Sequence, residues 1–124
     1  LGVYAGRQGR TVTPENLPER GLFYRADHFP FAKRGVPVLL MMSLAGASDL
    51  EQGGRAAGQA WIDDYTGRCY HQACDAWTPQ WNLDGAVQDI DVMARIGEEL
   101  ANSDRWPQWK PGSEFKAARA ADGR

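Results

Sequence analysis

Within Arg68-Cys69-Tyr70-His71-Gln72-Ala73-Cys74-Asp75, one short polar segment carries an imidazole, a phenol, two sulfur atoms and a carboxylate. A neutral imidazole is the commonest metal ligand among side chains, and a phenol beside it can donate a hydrogen bond to oxygen charge that develops next to a metal. His71 is therefore the candidate metal ligand and Tyr70 the candidate catalytic donor. One histidine does not complete a metal site, because zinc takes four ligands in structural sites and three plus water in catalytic ones. Cys69 and Cys74 bracket His71, yet Cys-x4-Cys with a single histidine supplies only three finger ligands. Two states of the pair stay open. In an oxidising compartment they could close a small loop worth roughly 2 kcal/mol; in a reducing one they would be free thiols.

Histidine meets carboxylate at only two places, Tyr70-His71-x3-Asp75 and Asp27-His28. Asp75, Asp27 and His28 are candidates for the pocket or for hydrogen-bonding a ligand from behind. Asp27 also has a plainer use as a helix cap, and His28 as an anchor of that helix start. Glu98-Glu99 lies late on an amphipathic helix, where paired acids form a solvated face, and is rejected as catalytic. Ser43, Ser48 and Ser113 lack a Gly-x-Ser-x-Gly setting, and no phosphate-cradling glycine loop is present, so serine catalysis and nucleotide binding are not supported.

Periodicity places the helices and strands around these groups. Leu1 to Gln8 reads as a helix end closed by Gly9, and Thr11 to Thr13 as a short β-prone run. Phe29 to Arg34 allows one or two helical turns, capped by Asp27 and ended by Gly35. Val36 to Leu44 is nearly continuous in apolar residues, which predicts a central strand buried on both faces. Ala45 to Gly54 is a small-residue loop, and Arg55 to Asp64 a helix leading to the focal segment. From Leu83 onward Val87, Ile90, Ala94, Gly97 and Leu100, joined by Met93 and Ile96, follow helical spacing, with Asn82 or Asp84 as cap. Trp106, Pro107, Trp109 and Pro111 are too aromatic for a free linker, so residues 104–124 are expected to be a tail packed on the surface of a domain formed by 1–103. Ala117 to Arg124 is expected to be loose or helical.

At 124 residues the chain holds one domain at most, with a core that buries roughly two-thirds of the unfolded surface. Its 14 basic and 16 acidic side chains give a charge of -2, so no field favours nucleic acid or an anionic membrane. No apolar run approaches the roughly 20 residues of a membrane span. The start at Leu1, without methionine or a signal-like segment, is taken as a cut.

Four segments, in this order, carry a resemblance: Tyr24-Arg25-Ala26-Asp27-His28-Phe29-Pro30-Phe31, Gly35-Val36-Pro37-Val38-Leu39, Tyr70-His71-Gln72-x2-Asp75 and Leu83-Asp84-Gly85-Ala86. Together they resemble the C-terminal part of zinc aminopeptidases of the co-catalytic kind, a superfamily that includes glutaminyl cyclases and glutamate carboxypeptidase, over about Arg10 to Phe115. The resemblance implies an α/β fold, the C-terminal portion of an α/β/α sandwich with a mixed central sheet and two zinc ions at its strand ends. It implies that His71 is the last zinc ligand, that Tyr70 donates to the oxyanion, and that Asp27 and His28 lie in or beside the pocket. Ala26 departs from the serine usual before that aspartate. The Cys69 and Cys74 pair is not part of the family pattern and would be a local staple.

The family's other ligands and its general-base glutamate precede the Asp-His-Phe-Pro-Phe segment, and here the only histidines are His28 and His71. The resemblance therefore implies half an active site, with the N-terminal remainder of the domain as partner, a peptide as substrate, and no activity for this chain alone. Two other functions fit the same motifs. Glutaminyl cyclisation would keep the fold, although Tyr70 stands where cyclases tend to carry tryptophan. A non-catalytic binding or structural module would be metal-free. The uncovered edge of the strand also allows a homo-oligomer, and the cysteine pair with the family's habits points to a secreted or periplasmic location.

Overall fold

The computed structural model describes residues 1–15, 17–42, 50 and 52–121, with only the backbone of 120 and 121. Among them the chain is helical: α1 Gly2–Arg7, α2 Phe29–Lys33, α3 Gly54–Arg68, α4 Asp84–Ala101 and α5 Lys116–Ala121, with single 3-10 turns at Pro18–Arg20 and Leu22–Arg25. It divides into two compact units, Leu1–Asn16 with Met42–Ile96, and Leu17–Met41 with Gly97–Arg124.

The expected α/β/α sandwich with a mixed sheet is not found. Among the described residues there is no strand, only an isolated antiparallel bridge between Leu50 and Gly54. Residues 36–42 leave α2 as non-helical chain without a ladder, and Val36 and Leu39 are 38% and 40% exposed. The reason lies in what makes a strand. An apolar run becomes a buried central strand only when neighbours on both edges take its amides and carbonyls, and nothing described here does so. Thr11, Val12 and Thr13 form no strand for the same reason. Ser43, Leu44 and most of the expected small-residue loop, Ser48 included, lie outside the described residues.

Among the described residues of the first unit the buried apolar side chains are Ala5 of α1, Ile62 of α3 and Val92 of α4. Gln8 and Arg10 tie the end of α1 to α4. Gln8 Nε2 donates to the Gln88 carbonyl and to Asp91 Oδ2, both at 3.1 Å, and the Arg10 guanidinium pairs with Asp89. These polar links lie on the face of α4 that carries positions 88, 89 and 92, and Val92 on that face is 1% exposed while Val87 and Ile90 are 62% and 67% exposed. Of the two expected caps, Asp84 is the first residue of the helix, and Asn82, one residue ahead of the cap position, accepts the Asp84 amide on Oδ1 at 2.8 Å.

The second unit is built on aromatic rings. Phe115 lies 5.7 Å from Phe23, 6.2 Å from Phe29 and 5.3 Å from Trp109 between centroids, and the Tyr24 hydroxyl donates to Glu114. Gly35 ends α2 at φ +76, where a β-carbon would come within 2.4 Å of the Arg119 backbone nitrogen, and its carbonyl accepts the Trp109 indole N–H at 2.8 Å. Only glycine suits that turn and that approach.

Candidate active-site loop

The helix α3 runs farther than expected, to Arg68 instead of Asp64. Two side-chain pairs at helical spacing support the added turn. Arg68 Nε donates to Asp64 Oδ1 at 2.6 Å, and the rings of Trp61 and Tyr65 stack at 5.3 Å with planes 9° apart. The helix ends where the amides of Cys69 and Tyr70 both donate to the Tyr65 carbonyl, at 2.8 and 2.9 Å.

The chain then closes on itself. Cys69 and Cys74 form a disulfide, so neither offers a thiolate to a metal. The Gln72 amide donates to the Cys69 carbonyl at 2.8 Å, and the Asp75 amide to the Gln72 carbonyl at 2.9 Å. Between the cysteines His71 takes φ +60, the one described non-glycine residue in the left-handed region. That conformation brings the imidazole alongside the Tyr70 ring, at 3.9 Å between centroids and 24° between planes. Tyr70 is 43% exposed, His71 is exposed as well, and the pair is open to a ligand.

Asp75 ties the loop together. Its Oδ2 accepts the His71 amide at 2.9 Å, and its Oδ1 accepts the Tyr65 hydroxyl at 2.6 Å. The Tyr65 hydroxyl first, and then the His71 amide, hold the Asp75 carboxyl below the usual range. The same bond raises the Tyr65 phenol above its ordinary value, because ionising it would set two anions together.

The fold thus gathers Cys69, Tyr70, His71, Cys74 and Asp75 in one loop. Asp27 and His28 belong to the other unit, at the entrance of α2. Asp27 is exposed and does not cap that helix. His28 holds the cap position, and no side chain there bonds an amide. Pro30 in the first turn removes one of the amides a cap would serve. The His28 ring lies 4.6 Å from Phe23, and its buried Nε2 has no hydrogen-bond partner among the described residues. Glu98 and Glu99 are exposed, and Glu99 pairs with Arg105.

Among the described residues no three histidine, cysteine, aspartate or glutamate side chains converge on a metal position. An exposed imidazole beside a phenol fits one ligand place in a shared site and does not make a site alone. Sequence reasoning missed Tyr65, which reaches Asp75 from α3. Trp61 and Tyr65, four apart, already mark one face of that helix.

A model of Peptidase family M28 matches residues 2–94. No curated protein and no solved structure matches the chain.

Proposed function

The chain belongs to peptidase family M28, the co-catalytic zinc peptidases, and from that premise we propose that it is the C-terminal part of an exopeptidase catalytic domain, an aminopeptidase. It brings His71 as one zinc ligand and Tyr70 as a hydrogen-bond donor to the oxyanion of the scissile group. The observation that carries this reading is the left-handed turn at His71, which sets imidazole and phenol side by side on an open surface. A non-glycine residue held there is costly, and such outliers cluster at functional sites.

Zinc, when bound, polarises a carbonyl and lowers the pKa of water. The chain's own residues do the rest of what is proposed for them. The Tyr70 hydroxyl donates to oxygen charge that forms on the substrate, and His71, fixed by its loop, keeps one metal in place. The other ligands and the general base come from the N-terminal remainder of the domain, so the isolated chain binds zinc weakly and cleaves no peptide. The substrate is a peptide, and the disulfide suits a secreted or periplasmic setting. Among the described residues no helix is long and apolar enough to cross a membrane.

The test joins this chain to the upstream part of its catalytic domain and measures zinc content and aminopeptidase kinetics. Tyr70→Phe should lower kcat about 10²- to 10³-fold with KM little changed, and His71→Ala should lose zinc together with activity. Full kcat in Tyr70→Phe, or full zinc in His71→Ala, refutes the assignment of that residue.

A further inference from the structure

We infer that Tyr65 is a positioning residue for His71, acting through Asp75; this rests on the reading of His71 as a metal ligand. The disulfide closes the ring of residues 69–74 but leaves the φ of His71 unspecified, since a loop of that size can close around several backbone states. The helix-end bonds stop at Tyr70, and the bond from Gln72 to Cys69 passes over His71 without using its amide. What holds the His71 amide is Asp75 Oδ2.

A carboxylate on an exposed loop can rotate, and water competes for it. Asp75 is kept from doing so by the Tyr65 hydroxyl on its other oxygen. Tyr65 is itself fixed in α3 by stacking on Trp61 and by edge contact with Tyr70 at 5.9 Å. The line from Trp61 through Tyr65 and Asp75 to the His71 amide therefore transmits the rigidity of a 15-residue helix to one turn of loop. Tyr65 touches neither metal nor substrate in this scheme. It sets the backbone from which the imidazole projects, the kind of support whose loss costs metal sites about 10- to 100-fold in affinity.

The experiment is ¹⁵N NMR on the full 124-residue chain, with Tyr65→Phe beside the native protein and zinc chloride as the probe. Phenylalanine keeps the ring and removes only the hydroxyl. Unchanged α4 amides establish that the fold persists. The expected result is roughly tenfold faster exchange of the His71 amide, the loss of one hydrogen bond, with the HN–Hα coupling of His71 leaving its left-handed value. The zinc response of the His71 imidazole should weaken about tenfold or more, while His28 serves as an internal reference. Asp75→Ala should reproduce the effect and Asp75→Asn, which keeps one acceptor oxygen, should restore part of it. This second pair decides the matter if Tyr65→Phe fails to fold. A native-like His71 amide and zinc response in Tyr65→Phe overturns the inference. If the His71 imidazole does not respond to zinc even when the chain is joined to the upstream part of its domain, the reading of His71 as a ligand fails first and the positioning role falls with it.

Discussion

His71 holds a backbone conformation that costs a residue with a β-carbon about 1–2 kcal/mol, and His71→Ala keeps that cost while losing the imidazole. His71→Gly removes both. Glycine gains extra freedom in the unfolded chain, so the net advantage of Gly over Ala should be about 0.5–1 kcal/mol in denaturant unfolding, with neither variant retaining a specific zinc response. Equal stability of the two would mean that residue 71 is not left-handed in solution. Two lowered carboxylates can be told apart in the same way. Asp64 is held low by its hydrogen bond to Arg68 and then by the guanidinium charge, and Asp75 by Tyr65 and the His71 amide. Because the folded Asp64 value lies below the unfolded one, the stabilisation is present above the ordinary carboxylate value and is lost as pH falls through the folded one. In a carboxyl-carbon NMR titration, Arg68→Ala should return Asp64 to the ordinary range and leave Asp75 low. A rise in both would show that one shared cause, not two local ones, sets them.

The helix α4 shows what a periodic pattern specifies and what it leaves open. Val87, Ile90, Met93 and Ile96 at helical spacing, with Asn82 ahead of them, predict its existence correctly and its start to within a residue. The pattern does not choose which side faces inward. Gln8 and Arg10, far away in the sequence, bond the side that carries Val92 through the Gln88 carbonyl and Asp89, and no local signal in either segment foretells such pairs. Val92→Ala should therefore cost about 1–3 kcal/mol in denaturant unfolding, while Ile90→Lys should change stability by less than about 0.5 kcal/mol. The reverse ranking would mean that the apolar stripe is covered in solution. The same physics explains the missing sheet. The Val36 to Leu44 run reads as a central strand because its composition is right, but a strand is a relation between segments, and its partners are not among the described residues. The loop at 69–75 was more legible because its chemistry is contiguous in the chain. Tyr65, ten residues before Asp75, was hidden for want of a contiguous motif.

Across the whole molecule, the family match ends at residue 94, inside α4, yet residues 109–115 hold a segment that carries the family resemblance. Trp109 donates to the Gly35 carbonyl, Glu114 accepts from Tyr24, and Phe115 packs its ring among Phe23, Tyr24 and Phe29. Each ring pair is worth about 0.5–1.5 kcal/mol beyond the area it buries, and the indole bond about 1 kcal/mol. Residues 17–41 contain one buried apolar side chain, Ala32, so on their own they have little else to hold the turn at Asp27 and His28. Ending the chain after Ser103 should therefore abolish hydrogen-exchange protection in α2 and the turn before it. The loop at 69–75 has its own bonds within the first unit and a disulfide whose ring closure contributes roughly 2 kcal/mol, so the His71 amide should keep its protection. Reduction of the disulfide should do the opposite, loosening the loop and sparing α2. If truncation and reduction each loosened both regions, the two units would be one cooperative body, and the residues beyond the match would support His71 as directly as they support His28.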